Sequence, residues 1–222
     1  MRDGHVIRFM LSGRRGQPTT IGELEGELSE RLVHIAAVLE GAGFPVAFSE
    51  NMDAWLKTHV AIVSPIANAV YAAGCDHLRL AQTRDALVLM VRAVREGLRV
   101  LQAMGTPITP ARYRALLWVP EPLLVFWLQR GVATEKFELG VVRHATAARD
   151  EMEHLAGEFR FLTRVVGAST PSIDYLYSFL NSANPHMPEG KADLSLNWGS
   201  LWRGLAVVAV VGVAASWWRR RG

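Results

Sequence analysis

A single lysine, Lys57, interrupts an apolar stretch, residues 50–74, that has the length and pattern of a helix. Four apolar residues lie near it in the sequence: Trp55, Leu56, Val60 and Ala61. Burial of a lysine in such surroundings costs free energy unless the charge is paired or used. Lys57 is therefore the first candidate for chemistry. The alternative is a stem that lies along the surface with its ammonium group in water.

A second polar cluster marks the start of a helix predicted over residues 147–166. Its members are carboxylates and imidazoles: His144, Asp150, Glu151, Glu153 and His154. Glu151 and His154 are three residues apart and share a helix face, but the spacing is not that of a zinc site. We expect no metal site. Ser64 has no nucleophile-elbow context, and Gly13 to Gly16 form neither a P-loop nor a GxGxxG turn.

The elements that must position these residues are mainly helical. Short strands are predicted at 5–11, 19–25 and 44–48, the first two separated by a loop at 12–18. Ser29 is the expected N-cap of a helix that runs to Leu39, and Pro65 is expected to kink the Lys57 helix. Apolar periodicity predicts further helices at 78–104, 147–166 and 172–180.

Composition excludes several classes of protein. The formal net charge is only +3, and no basic stripe alternates with aromatic residues, so we expect no nucleic-acid partner. The one cysteine, Cys75, excludes an intramolecular disulfide and fits a reducing compartment. No apolar signal region follows Met1. The expected location is the cytoplasm.

The C-terminal end differs from the body of the chain. A polar linker is predicted at 183–200, followed by an apolar tail helix at 201–222. Residues 204–218 carry no charge, and as a helix they would cover roughly 22 Å, short of the ~30 Å hydrocarbon core. Trp202, Trp217 and Trp218 have the positions of interfacial aromatics. We expect membrane contact through this tail, and an ordinary buried terminal helix is the alternative.

Four stretches, taken in order, resemble the ketopantoate reductase family. Residues 17–26 are similar to the last strands of its Rossmann domain, and Ala42 to Lys57 to its crossing into the helical domain. Residues 95–105 resemble the next family segment. Residues 150–157, with 167–172 after them, resemble the acidic substrate motif and the Gly-x-x-x-Pro segment. The resemblance covers about residues 4–182.

The resemblance implies a mainly α fold with a remnant of the nucleotide-binding domain at 1–48 and a helical reductase-like domain at 49–182. It implies NADPH-dependent reduction of a 2-oxo acid such as 2-dehydropantoate. Lys57 would be the proton donor to the nascent alkoxide, and an apolar setting favours proton release from a lysine. Glu151 would bind the substrate hydroxyl and orient the lysine. Ser64 and Asn68 are further polar candidates for substrate binding on the Lys57 helix.

The sequence also departs from the family. Asparagines follow the family's lysine at four and eight residues, where this chain has Ala61 and Pro65. The GxGxxG turn is absent, so we expect that this chain alone does not bind NADPH. The missing Rossmann half would come from a separate chain, or has been lost through a shortened gene or a misplaced start. The alternative function is a non-catalytic helical binding module tethered to a membrane, with the apolar run 123–128 pairing with a second copy.

Overall fold

The computed structural model describes residues 2–3, 6–7 and 18–199. Tertiary contacts divide the chain into two compact units, Met1–Leu56 and Lys57–Gly222. The described part is mainly helical with two short strand pairs, which confirms the predicted fold class at this level. Within it, no helix has both the length and the apolar character needed to cross a bilayer. The predicted tail helix at 201–222 lies outside the described residues.

The first unit contains two separate strand pairs. Strands β1 (Arg2–Asp3) and β2 (Val6–Ile7) are antiparallel. Strands β3 (Thr19–Ile21) and β4 (Val46–Phe48) are parallel, with their first residues opposite each other, and helix α1 (Glu30–Gly41) connects them. Strands β3 and β4 are shorter than the predicted strands at 19–25 and 44–48, and β1 was not predicted. A parallel pair joined by a helix is the βαβ arrangement of open α/β sheets.

Helix α1 begins where the sequence indicates. The Ser29 side chain accepts a hydrogen bond from the Leu32 backbone N–H at 3.1 Å, which confirms Ser29 as the N-cap. Arg31 in the first turn forms an ion pair with Glu23, in the segment that leads from β3. Leu32 and Ala36, one turn apart, are the buried residues of the helix. A single turn-spaced pair anchors α1 on its own unit.

The second unit is built from helices that follow one another closely. The long ones are α2 (Met52–Ala72, which begins in the first unit), α4 (Arg84–Ala103), α5 (Glu121–Val132) and α8 (Arg149–Val165). Short helices are α3 (His77–Gln82), α6 (Glu135–Phe137), α7 (Arg143–Ala147) and α9 (Pro171–Tyr177). A π-helical segment, Glu138–Val142, joins α6 to α7, and 3-10 turns occupy Ala111–Leu117 and Ser178–Leu180.

The prediction of a single helix at 78–104 is wrong, because the helix is interrupted at Thr83. Its backbone leaves the helical region (φ −93°, ψ 78°), and its hydroxyl donates to the Arg79 carbonyl at 2.8 Å. Such local side-chain bonding competes with helix continuation. Asp76 caps the start of α3 through the N–H groups of Leu78 and Arg79. Helix α2, in contrast, continues through Pro65.

Helix α4 forms the centre of the helical unit. Fourteen of its twenty residues are buried, including Leu87, Met90, Leu98 and Leu101. Its main neighbours are α9 and α5, with α3 and the 3-10 turn at 111–117 also in contact. Two of the buried residues, Asp85 and Arg95, are charged, so they need partners inside the unit.

Gly97 on α4 lies against Ala61 of α2 and the Phe159 ring of α8. A Cβ placed on Gly97 would lie 3.1 Å from the Ala61 carbonyl oxygen, 3.2 Å from the Ala61 Cβ and 3.3 Å from the Phe159 ring. Glycine and alanine therefore bring the backbones of α2 and α4 close together. Ala61 is fully buried in this contact, so no longer side chain fits there without moving α4.

Two carboxylates inside the helical unit bind segments that have no secondary structure. Glu121, the first residue of α5, is 2% exposed and accepts hydrogen bonds from Arg92 at 2.9 and 3.1 Å. It also accepts from the Asn197 backbone N–H at 2.9 Å. Asp85 on α4 accepts from the Asp193 and Leu194 N–H groups at 2.9 and 3.3 Å.

Residues 185–197, here named the strap, lie along α3, α4 and α5 through these bonds. The Met187 N–H donates to the Ala72 carbonyl at 2.8 Å, and the Gly190 N–H donates to the Gln82 carbonyl at 3.2 Å. Arg92 donates to the Ser195 carbonyl at 2.6 Å. Polar composition alone indicates a solvated segment, but here the backbone of the strap is bound to the helices.

We expect Glu121→Gln to lower the free energy of unfolding by about 3 kcal/mol. The substitution removes a buried charge and leaves the facing Arg92 and Arg95 without their anionic partner. Urea unfolding at neutral pH measures the loss. Glu138→Gln is the matched control, because its ion pair with Arg143 is more exposed and should contribute less than about 1 kcal/mol. Equal losses in the two variants would contradict a structural role for the Glu121 network.

The same carboxylate gives a pH signature. Burial alone would raise the pKa of Glu121, but hydrogen bonds from Arg92 and Asn197 and the charges of Arg92 and Arg95 outweigh it and lower the pKa. Because the pKa is lower in the folded state, this stabilisation is full above the unfolded value of about 4.3. It is lost as pH falls through the lowered value. The difference in stability between the wild type and Glu121→Gln should therefore shrink in that acidic range.

Candidate functional site

Helix α2 places the polar candidates on one stripe. Lys57, Ser64 and Asn68 are separated by seven and four residues, and Tyr71 follows three residues later. These intervals keep all four side chains within a narrow sector of the helix. Ala61 lies on the same sector, where it packs against Gly97. The stripe is therefore polar at both ends and blocked by the helix crossing between them.

Lys57 is half-buried near a fixed part of α2. The next residue, Thr58, is fully buried, and its hydroxyl accepts a hydrogen bond from the Thr109 N–H at 3.2 Å. One turn further, Ala61 is locked against Gly97. Two tertiary contacts thus hold the backbone around the lysine, so the helix presents Lys57 from a rigid position.

Ser64 and Asn68 lie on the other side of the crossing and are buried, at 6% and 2% exposure. The Asn68 Oδ1 atom has no hydrogen-bond partner among the described residues. A buried amide oxygen without a donor costs about 1–3 kcal/mol unless water or a ligand supplies one. Of the polar candidates on the stripe, Asn68 is the one whose structure points to a missing donor.

Tyr71 closes the stripe at the end of α2. Its hydroxyl donates to the Ala145 carbonyl at 2.7 Å, and the Arg149 guanidinium carbon lies 4.4 Å from the ring centroid. Burial raises the pKa of Tyr71 to about 12, with Cys75 and Glu153 adding to the rise and Arg149 opposing it. Tyr71 therefore stays protonated at neutral pH and acts as a hydrogen-bond donor, not as a base.

These contacts set the register between α2 and α8. Tyr71 lies beside Arg149 at the start of α8. Ala61, ten residues before Tyr71, and Phe159, ten residues after Arg149, both contact Gly97. The two helices therefore run in roughly opposite directions. Glu151 falls near the level of Asn68, about three turns or ~18 Å along the axis from Lys57. Both side chains also tilt toward the N-terminus of their own helix, and so away from each other.

The predicted site residues thus fall into two groups. Ser64 and Asn68 are one turn apart on α2, and Glu151 lies at a similar level on α8, where it is exposed. Lys57 stands apart from them. Tyr71 and Arg149 extend the second group, and the sequence analysis did not single them out. The signal was available for Tyr71, whose spacing of seven residues from Ser64 continues the stripe.

The residues that follow β3 do not fit a dinucleotide pyrophosphate. Gly22 and Gly26 contact the chain itself, since a Cβ on either would lie 2.3 Å from the carbonyl oxygen of Ser49 or Glu50. Helix α1 begins eight residues after Gly22, so no helix N-terminus directly follows the strand. These glycines serve close approach within the chain and do not form a phosphate cradle.

Replacement of Asn68 by leucine tests whether its oxygen is structurally satisfied. We expect Asn68→Leu to leave the free energy of unfolding unchanged or to raise it by about 1 kcal/mol, because no described donor loses its acceptor. Thr58→Val is the control, since it removes the acceptor of the Thr109 N–H and should cost about 1–2 kcal/mol. A larger loss of unfolding free energy for Asn68→Leu than for Thr58→Val would show that the Asn68 oxygen stabilises the fold.

Comparisons with protein-family models, with curated proteins and with solved structures found no match for this chain.

Proposed function

We propose that this chain is the substrate-side part of a ketopantoate-reductase-like oxidoreductase that reduces a 2-oxo acid, such as 2-dehydropantoate. A second chain would supply the NADPH-binding Rossmann half. The observation that carries the proposal is the small parallel sheet of the first unit, which has two strands among the residues that the structure describes. Strands β3 and β4 form a parallel pair of three residues each, and parallel sheets normally have more strands and helices on both faces.

The surface of the first unit supports the proposal that a second chain binds there. Seven large apolar side chains are exposed on and around the βαβ segment: Leu24, Leu28, Val33, Ile35, Val38, Phe44 and Phe48. An exposed apolar surface of this kind marks an interaction site in a soluble protein. Additional strands and helices of a Rossmann domain would pair with the sheet edge and cover these side chains.

In this proposal Lys57 performs the proton chemistry. Its ammonium group would donate a hydrogen bond to the ketone oxygen and then a proton to the alkoxide that forms as hydride arrives. The rigid backbone around Lys57 supports such a role, because a general acid must be held at hydrogen-bonding distance from the reacting oxygen.

The register of α2 and α8 limits the substrate contacts. A small 2-oxo acid bound at Lys57 does not extend ~18 Å to the level of Asn68 and Glu151. Such a substrate would contact Lys57 but not Ser64, Asn68 or Glu151. The substrate-binding role of Glu151 applies only to a ligand long enough to span both groups.

We expect hydride transfer when this chain is mixed with a separately produced Rossmann domain of the ketopantoate reductase family. NADPH oxidation is followed with 2-dehydropantoate and with simpler 2-oxo acids. Lys57→Ala should lower kcat by about 100-fold or more, because the alkoxide loses its proton donor. Lys136→Ala, which removes an exposed positive charge on α6, should leave the rate unchanged.

A second variant separates chemistry from assembly. Val38→Glu places a charge in the exposed apolar surface of α1 and should abolish association with the Rossmann domain, measured by sedimentation, while the chain stays folded. An associated complex without NADPH oxidation, or full activity in Lys57→Ala, would refute the catalytic role. Absence of association would refute the partner.

The alternative, a non-catalytic helical binding or dimerisation module, is favoured by a different surface. Helix α5 exposes Leu123, Phe126 and Trp127, and Trp118 just before it is 79% exposed. The Arg130 guanidinium carbon lies 3.6 Å from the Phe126 ring centroid, which covers part of that ring. We define these four apolar residues as the α5 patch.

If the α5 patch pairs two copies of the chain, sedimentation should detect a dimer that dissociates in the Phe126→Ser/Trp127→Ser variant. The reason is that aromatic residues at the centre of an interface carry most of its free energy. Phe161→Ser removes an exposed aromatic side chain on α8 and is the control that should still dimerise. A monomeric wild type at all concentrations would rule out pairing through this surface.

A further inference from the structure

A cavity of about 460 Å³ lies beneath the strap. Its floor comes from Asp85 and Leu89 on α4, and one wall comes from Tyr175 and Phe179. The strap forms the other side. A volume of this size is in the range of small-molecule sites. The cavity lies within the helical unit and does not include Lys57 or any other residue assigned to the proposed reaction.

The wall formed by the strap is fixed. The strap is bound at Ala72 and Gln82 at one end and at Glu121 at the other, and Asp85 binds two successive N–H groups between them. At the first end, the His186 ring packs against Gly74, whose φ of +72° only glycine adopts easily. On this side the cavity is therefore bounded by backbone that is hydrogen-bonded to the helices, and not by a loose loop.

The inner lining is mostly apolar. Leu89, Phe179 and Met187 are buried side chains that border the cavity, and Leu194 borders it from the strap. Tyr175, half exposed, meets the edge of Phe179 with ring centroids 5.4 Å apart. An apolar group of a ligand would be desolvated here, which is favourable in proportion to the area buried.

The outer lining carries two opposite charges side by side. Lys191 Nζ and Asp193 Oδ2 are 3.9 Å apart, and both side chains are largely exposed. An exposed pair at this distance contributes little to stability, so each group is available to a ligand. Asp85, by contrast, already accepts hydrogen bonds from the strap.

We propose that this cavity binds a free α-amino acid with an apolar side chain. The side chain would occupy the space bordered by Leu89, Phe179 and Met187. The ligand carboxylate would bind Lys191, and its ammonium group would bind Asp193. Adjacent opposite charges next to an apolar space match the two neighbouring charges and the apolar side chain of leucine or phenylalanine. A simple acid or a simple amine satisfies only one member of the pair.

The experiment uses the full chain and titrates it with L-leucine by calorimetry and by NMR of backbone amides. Two analogues accompany it: 4-methylpentanoate, which lacks the ammonium group, and isopentylamine, which lacks the carboxylate. We expect leucine to bind and to shift the amide signals of the strap, and each analogue to bind at least about fivefold more weakly.

Variants assign the charges. Lys191→Ala and Asp193→Ala should each weaken leucine binding by about fivefold or more, and neither exposed substitution should affect folding. Lys136→Ala removes the same charge at a distant exposed position and should leave the affinity unchanged. Leu89→Trp would fill the cavity and abolish binding, with the circular dichroism spectrum as the check that the chain has folded.

Several results would overturn the proposal. They are an absence of leucine binding, equal binding of leucine and 4-methylpentanoate, and unchanged affinity in Lys191→Ala and Asp193→Ala. Amide shifts confined to residues outside the strap, α4 and α9 would also contradict it. These outcomes are independent of the reductase proposal, because none of the measurements involves Lys57, NADPH or a second chain.

Discussion

The structure of the helical unit depends on finding hydrogen-bond and ion-pair partners for the charged side chains of its central helix, α4. Helix α4 is buried along most of its length, yet it carries Asp85, Arg92, Arg95 and Glu96 toward its neighbours. A buried charge without partners destabilises a fold by several kcal/mol, so each of these groups fixes the position of another segment. Arg95 donates to the Leu116 carbonyl at 2.8 Å and holds the turn before α5. Glu96 accepts from the first N–H groups of α9 at 3.0 Å.

This principle explains how segments without a hydrophobic pattern acquire fixed positions. Glu96 acts as the cap for α9, which has no capping side chain of its own. Asp85 and Glu121 do the same for the strap, whose backbone N–H groups would otherwise need water. The charges along α4, together with Glu121 on α5, therefore determine where the start of α9 and the strap lie. The cavity beneath the strap is a consequence of that arrangement.

The part of the fold that the sequence predicts is the part that depends on local pattern. Ser29 caps α1 as expected, and apolar periodicity identifies α8 within two residues at each end. For α4 it identifies the C-terminal end within one residue but not the start. The break at Thr83 was not predicted, because the apolar spacing continues through it while a side-chain hydrogen bond ends the helix. The strap was not predicted either, since its contacts are made by backbone groups to carboxylates that are 76 to 109 residues away in sequence.

The candidate site shows the same division. That Lys57, Ser64 and Asn68 share one face of α2 follows from their residue numbers once the segment is helical. Their separation into two groups depends on the contact of Ala61 with Gly97, which no pattern near Lys57 reveals. The direction of α8 against α2 is also a tertiary feature, and by helical rise it puts the level of Glu151 about three turns from that of Lys57. The pairing of these two residues was inferred from resemblance and required a register that sequence spacing does not contain.

The part of the first unit that the structure describes buries little apolar surface. The buried apolar residues on α1 are Leu32 and Ala36, while Leu24, Leu28 and Val38 are among the exposed apolar side chains. Small folded units bury a small fraction of their surface and are marginally stable for that reason. If a second chain completes the sheet, its binding also supplies apolar burial that this unit lacks. Folding of the first unit would then be coupled to partner concentration, because any partner that binds only the folded form stabilises it by mass action.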